Sequence, residues 1–289
     1  MTVRKVGVAG CGLMGSGIAQ VAAASGLTVV VREVESRFLE SGFGRIDASL
    51  AKFVEKGRLS AGEKDAIRGR LSATTEMAAL ADCDLVVEAI VEDLETKKAF
   101  FRELGSLASA RTIFASNTSS FPIGEMANSS GRPDRFVGLH FFNPVPLMKL
   151  VEVVRAEKTS EETLATARAF AESLGKAPVL ARDTPGFLVN RLLVPYLLEA
   201  IRMLERGDAT REDLDLAMKF GCGHPMGPIE LLDYVGLDTT LSIVEGWHRR
   251  FPEEKLFEPP ALLREMVGKK LLGRKTGRGF YEWEGDRKK

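Results

Sequence analysis

The chain has 289 residues, 45% of them apolar and 28% charged, with 40 basic residues against 40 acidic ones. This is ordinary globular composition, long enough for one large domain or two moderate ones, and its balanced charge gives no field that would draw nucleic acid or an anionic membrane. Cys11, Cys83 and Cys222 form no CxxC pair, which excludes a recognisable zinc site or disulfide framework, leaves no metal expected, and suits a reducing compartment.

MTVRKVGVAG runs directly into a strand without a signal-peptide pattern, and no apolar run is long enough to span a membrane, so a soluble cytoplasmic protein is expected. Short β-rich runs follow at 3–10, 28–33 (TVVVRE), 84–90 (DLVVEAI), 112–116 (TIFAS), 136–142 (FVGLHFF) and 150–154 (LVEVV). Helical spacing separates them, for example over 13–25 and 95–109. Strands apolar on both faces and alternating with helices predict a mainly parallel sheet covered on each side. Residues 36–70 are longer than an ordinary crossover and read as a polar helical hairpin inserted after the second strand. After PVLARDTPGF (178–187) helices dominate and no further strand run is expected. The fold class is therefore an α/β, Rossmann-type doubly wound sheet over residues 1–184 followed by an all-α domain over 185–289.

In that second domain, FLVNRLLVPYLLEAIRMLE (187–205) is apolar nearly all round, with Gly207 as C-cap and a kink expected at Pro195. A helix with so little polar face must be buried on several sides, which points to a homodimer through this region; a central helix of a monomeric bundle is the alternative. The tail EGDRKK is expected to fray.

GCGLMG, residues 10–15, carries Gly10, Cys11, Gly12, Leu13, Met14 and Gly15 in GxGxxG spacing directly after a strand and at the start of a helix. Gly10 permits the tight turn, Gly12 lets the backbone approach a pyrophosphate, and Gly15 lets helix and strand pack closely. Phosphates then sit on the free N–H groups of the helix N-terminus. Glu33 ends the second strand at the distance where a carboxylate accepts hydrogen bonds from the adenosine ribose. The same carboxylate repels a 2′-phosphate, so NAD is the expected cofactor and NADP is disfavoured. Neighbouring Arg32 suits such a phosphate, but strand alternation turns its side chain away from that of Glu33.

His140 lies in an apolar stretch, GLHFFNPVPLMKLVEV (138–153), with Glu152 on the next strand. Oxidation of an alcohol by a nicotinamide needs a group to take the hydroxyl proton, and histidine titrates near the working pH. A carboxylate on the far ring nitrogen would fix the tautomer, and Glu152 interrupts LVEVV, where a carboxylate without a partner is costly. Taken alone, the two residues fit equally a satisfied core histidine with Glu152 facing water.

The wider segment is more specific. Together with ASNTSS (115–120) and DTPGFLVNRLL (183–193), it closely resembles the L-3-hydroxyacyl-CoA dehydrogenase family, which includes the bacterial 3-hydroxybutyryl-CoA dehydrogenases. GCGLMGSGIAQ, VEAIVED, ERGDA (205–209), GHPMGPIELLDYVGLDT (223–239) and KTGRGFY (275–281) extend the resemblance over almost the whole chain. It implies oxidation of the 3-hydroxyl of an acyl-CoA by NAD, or the reverse reduction, in fatty acid or butanoate metabolism. It implies further that His140 is the catalytic base, that Glu152 orients it, and that Ser119 bonds the substrate 3-oxygen beside the nicotinamide. Asn190 is implied to reach the substrate from the helical domain, and Asn143 to lie near the cofactor and the histidine. Glu92 and Lys97 are implied to flank the nicotinamide-proximal half of NAD, with Lys275 returning to the cofactor. In the inserted hairpin, Ser49 and Lys56 lie two helical turns apart, about 10 Å, on one face. The resemblance gives them to coenzyme A, with Lys52 and Arg58 adding positive charge, while an ordinary solvated surface fits the same spacing.

The chain departs from the family pattern in having Glu33 where aspartate is commoner and in a hairpin shorter than in some relatives. It carries no enoyl-CoA hydratase segment, so the stand-alone enzyme is expected. Two rival readings remain: a dehydrogenase of a free 3-hydroxy acid, and a non-catalytic NAD-binding structural protein. The joint presence of Ser119, His140, Asn143 and Glu152 argues against the second rival.

Overall fold

The computed structural model describes residues 1–289, which divide into two compact units, Met1–Phe187 and Leu188–Lys289. In the first unit, β1 (Lys5–Ala9), β2 (Thr28–Arg32), β3 (Leu71–Thr74), β4 (Leu85–Glu88), β5 (Ile113–Ser116), β6 (Phe136–Phe141), β7 (Leu150–Arg155) and β8 (Ala177–Arg182) form one sheet. Their order is β3-β2-β1-β4-β5-β6-β7-β8. β1 through β6 pair in parallel; β7 runs antiparallel to β6, and β8 is parallel to β7. Val29 and Val31 fall in one core cluster with Ile18 and Phe43, while Val30 falls in another with Phe101, Phe114 and Phe136. Alternate residues therefore meet apolar layers on opposite faces, which is why the central strands read as unbroken apolar runs.

The helices of this unit are α1 (Leu13–Ala24), α2 (Ser36–Glu55), α3 (Ala61–Gly69), α4 (Leu94–Leu107), α5 (Ile123–Ser129) and α6 (Glu161–Ser173). α2 and α3 are the inserted hairpin. α2 buries Leu39, Phe43, Ile46 and Leu50 at helical spacing, and α3 starts in a capping box of Ser60 with Glu63. The chain leaves β1 for β2 and β3 on one side, then crosses to β4 on the other. That reversal opens a crevice at the carboxyl ends of β1 and β4.

β3 and β8 depart from the sequence expectation. They are the two edges of the sheet: LSAT has no apolar run, and APVLAR carries a proline and buries only Ala181, because an edge strand is not enclosed on both faces.

The second unit comprises α7 (Val189–Arg206), α8 (Arg211–Gly221), α9 (Pro228–Val235), α10 (Leu237–Arg250), α11 (Ala261–Gly268), and a small antiparallel pair, β9 (Trp283–Glu284) with β10 (Arg287–Lys288). The tail is thus not frayed: it turns back at Gly285, in the left-handed region, and Lys288 Nζ donates to Glu230 Oε2 at 2.8 Å. The pair is anchored by Asp233, whose carboxylate accepts from Phe280 N, Tyr281 N and Trp283 Nε1. Burial pushes the Asp233 carboxyl upward, and those donors oppose the shift. Gly207 caps α7 in the left-handed conformation, as its position suggested. α7 runs as one helix through Pro195 and, contrary to the expectation of burial nearly all round, buries a single stripe of Val194, Leu197, Leu198, Ala200 and Ile201. Leu192, 76% exposed, lies off that stripe. No helix is long and apolar enough to cross a membrane.

Candidate active site

The glycine-rich turn joins β1 to α1. Gly10 has φ +92°, and a Cβ there would meet Ala89 O at 2.4 Å; a Cβ on Gly15 would lie 1.8 Å from Gly10 O. Both glycines are thus required by close packing. Gly12 is different, because a Cβ there would meet nothing within 4 Å. It is the N-cap of α1, and no side chain caps that end. An open backbone at an uncapped helix start is an anion cradle. Beside it lies a cavity of about 700 Å³ lined by Gly12, Leu13, Met14, Glu33, Val34 and Ile90 among others. The residues present fit a dinucleotide.

Glu33 is fixed at this cavity: its Oε1 accepts from Cys11 N at 2.6 Å and its Oε2 from Val34 N at 3.1 Å. Arg32 lines the same cavity, contrary to the alternation argument. The cause is local. β2 ends at Arg32, so Glu33 already lies beyond the ladder and the two-residue period no longer separates the side chains. Cys11 is enclosed behind the turn, where burial pushes its thiol up to about 11.

His140 and Glu152 stand directly opposite each other on β6 and β7. Paired positions of antiparallel strands project to the same side, and His140 Nδ1 lies 2.6 Å from Glu152 Oε2. Glu152 is 0% exposed and His140 6%. A carboxylate only accepts, so the pairing assigns the proton to Nδ1 and leaves Nε2 as the basic nitrogen. Phe142 and Phe187 flank the imidazole at ring-centroid distances of 4.5 and 5.7 Å. Phe187 holds φ +53°, a left-handed conformation that bulky residues avoid, and its burial in the core fixes it there. Asn117 Oδ1 accepts from Phe141 N at 2.9 Å and ties the loop after β5 to the strand carrying His140.

That loop holds Ser119. Glu92 Oε1 accepts from Thr118 Oγ1 at 2.5 Å and from Ser119 N at 3.3 Å. Glu92 Oε2 lies 3.1 Å from Lys97 Nζ, which is also 2.5 Å from Glu88 Oε1. Lys97 is 1% exposed and Glu88 0%. Lys97 is therefore sealed between carboxylates, so it reaches the loop through Glu92. Ser116 Oγ and Ile90 N complete the Glu88 shell at 2.6 and 2.8 Å. Sequence reasoning missed Glu88, although its interruption of DLVVEAI is the same signal that marked Glu152.

A second cavity, of about 430 Å³, is bounded by α1, the hairpin and the loop 143–147. Ser49, Lys56 and Asn143 all line it, as do Arg45, Lys52 and Arg58. Cationic side chains and a hydroxyl around one opening suit a phosphorylated ligand. Lys176, also missed, holds the loop wall: its Nζ donates to Val145 O at 2.5 Å and Met148 O at 2.8 Å. In the second unit, Asn190 lies in the first turn of α7, and Lys275 is ion-paired with Asp238.

Comparison with known proteins gives the family of the chain. Residues 5–184 match the family described as 3-hydroxyacyl-CoA dehydrogenase, NAD binding domain, and residues 186–283 match its C-terminal domain. The chain is 52% identical to the mitochondrial hydroxyacyl-coenzyme A dehydrogenase of Rattus norvegicus, covering 98% of this chain and 92% of that one. It is 50% identical to a probable 3-hydroxybutyryl-CoA dehydrogenase of Deinococcus radiodurans, over 96% of this chain and 100% of the relative. Among solved structures, an (S)-3-hydroxybutyryl-CoA dehydrogenase from Ralstonia eutropha superposes with a TM-score of 0.95 at 40% identity, covering 98% and 100% of the two chains.

Proposed function

Because the chain belongs to the 3-hydroxyacyl-CoA dehydrogenase family, we propose that the buried His140–Glu152 pair carries the proton transfer of that reaction. The protein is an NAD-dependent enzyme that interconverts (S)-3-hydroxyacyl-CoA and 3-ketoacyl-CoA. NAD, held by Gly10 to Gly15 and Glu33, supplies the two-electron acceptor. His140 Nε2 removes the proton of the 3-hydroxyl. Glu152 holds the ring through Nδ1 and balances the imidazolium that results. The Ser119 hydroxyl bonds the 3-oxygen, on a loop that Glu92 and Lys97 hold in place. Asn143 borders cofactor and histidine. The phosphorylated adenosine of coenzyme A lies against Ser49 and Lys56, with Arg45, Lys52 and Arg58 supplying charge.

The observation that carries this reading is the 2.6 Å contact between two buried titratable side chains paired in strand register. It is tested by His140→Gln with acetoacetyl-CoA and NADH. Turnover should fall about 10²–10⁴-fold, the usual worth of a positioned acid–base group, while NADH binding changes little. An active variant would overturn it. Free acetoacetate in place of the thioester should react far more slowly.

A second copy of the chain covers the apolar face left on α7 and α8. Leu188 and Leu192 lie one helical turn apart, as do Leu216 and Phe220, and Phe220 is 83% exposed. Light scattering on Leu192→Asp with Phe220→Asp should then report monomers in place of dimers. The three unpaired cysteines support a reducing compartment such as the cytoplasm.

A further inference from the structure

Two residues other than glycine hold a left-handed backbone in this chain, Lys270 and Phe187. Lys270 is exposed and follows the C-cap of α11, where helices commonly end in that conformation. Phe187 ends no helix. It lies between β8 and α7, is 3% exposed, and packs its ring against His140. A bulky residue stays in a strained conformation only where its surroundings over-determine it. Here Asp183, just after β8, accepts from Ile123 N at 2.9 Å and Gly124 N at 2.8 Å in the first turn of α5. Pro185 and Gly186, φ +76°, then form a tight turn closed by Phe187 N donating to Thr184 O at 2.9 Å. That turn delivers an aromatic ring to the imidazole from a segment remote in sequence. Glu152 holds the imidazole at Nδ1 alone, and one hydrogen bond leaves a ring free to tilt.

We propose that Phe187 is a positioning residue for the proton transfer: its ring fixes the tilt of the His140 imidazole, so that Nε2 stays aimed at the substrate oxygen, and shields the bond to Glu152 from water. The left-handed backbone is the means, because an extended or right-handed residue 187 would carry the ring elsewhere. The inference rests on the reading of His140 as the base and adds the group that aims it.

Phe187→Gly separates ring from backbone, since glycine adopts φ +53° without strain and brings no side chain. In reduction of acetoacetyl-CoA by NADH, kcat should fall about 10- to 100-fold, the cost of a reacting group misplaced by up to about an ångström, while the KM for the thioester and the affinity for NADH stay within about threefold. Nitrogen-15 NMR of the three histidines reads the positioning itself: the His140 Nδ1–H should exchange with water about tenfold faster or more in the variant. Phe187→Leu, which keeps apolar volume without the ring, should fall between wild type and Phe187→Gly in both readouts. Wild-type kcat in Phe187→Gly, or in Phe187→Leu where the glycine variant does not fold, would overturn the inference. So would a loss of kcat with unchanged Nδ1–H exchange, or a loss confined to KM. Inactive His140→Gln beside an unimpaired Phe187→Gly would overturn this inference alone, whereas a fully active His140→Gln would remove the base and the inference together.

Discussion

Lys97→Met removes an ammonium from between Glu88 and Glu92 while keeping nearly the same length of side chain. Glu88, which is wholly buried, would be left with Ser116 Oγ and Ile90 N as its donors and no counter-charge. Breaking one side of a buried ion pair costs about 3–5 kcal/mol. For a unit of this size that corresponds to a fall of about 6–20 °C in thermal midpoint. Calorimetry on the full chain reads this directly, and urea unfolding followed by circular dichroism gives the free energy. Adding Glu88→Leu should recover most of the loss, because an apolar replacement of the whole pair leaves no charge uncompensated. Activity should not recover with it. Glu92 still lacks its cation, the loop with Ser119 is held less firmly, and kcat should stay about tenfold or more below the wild type, since misplacing a reacting group by an ångström costs up to about a hundredfold. A Lys97→Met midpoint within about 2 °C of the wild type, a loss below about 1 kcal/mol, would refute the claim that this pair holds β4, α4 and the loop together.

The glycine-rich turn makes a contrasting case: Gly12→Ala adds a methyl to open space, so the fold should be unchanged while NADH affinity drops about tenfold or more, whereas Gly15→Ala drives a Cβ into Gly10 O and should destabilise the protein outright. Equal NADH affinity in Gly12→Ala would remove the turn from the phosphate site. Lys176→Met frees Val145 O and Met148 O, so the KM for the CoA thioester should rise several-fold, about 1 kcal/mol, with kcat less affected; an unchanged KM would show that the loop holds its shape unaided. Burial pushes the Cys11 thiol up to about 11 and the Cys83 thiol up to about 12. At pH 8 both should remain protonated and resist iodoacetamide until the chain is unfolded, and native labelling at either, read by mass spectrometry, would contradict the packing.

The central strands were legible because enclosure on both faces demands apolar residues at every position. β3 and β8 were not, since an edge position relaxes that demand, and β9 with β10 is too short to leave a period. The pairing of His140 with Glu152 was legible in outline, as a carboxylate inside an apolar strand needs a partner. The placement of Arg32 failed for a defined reason: alternation holds only within a strand, and the strand stops there. Lys97 shows the remaining gap. The family resemblance marked it as part of the site, but only the fold shows that two carboxylates enclose it, one of them, Glu92, lying 26 residues before Thr118 in the loop it helps to hold. Lys176 left no signal, because its acceptors are main-chain carbonyls, which every residue carries.

The antiparallel turn from β6 to β7 has a consequence for how such a protein changes over time. Because base and carboxylate face each other across two hydrogen-bonded backbones, their separation does not depend on the shape of the segment 142–149 that links them. That segment can be lengthened, shortened or recast to suit a different group in the cavity beside the hairpin, and the proton-handling pair will keep its geometry so long as the ladder does not slip by a residue. Chemistry and substrate fit are thereby placed under separate structural control.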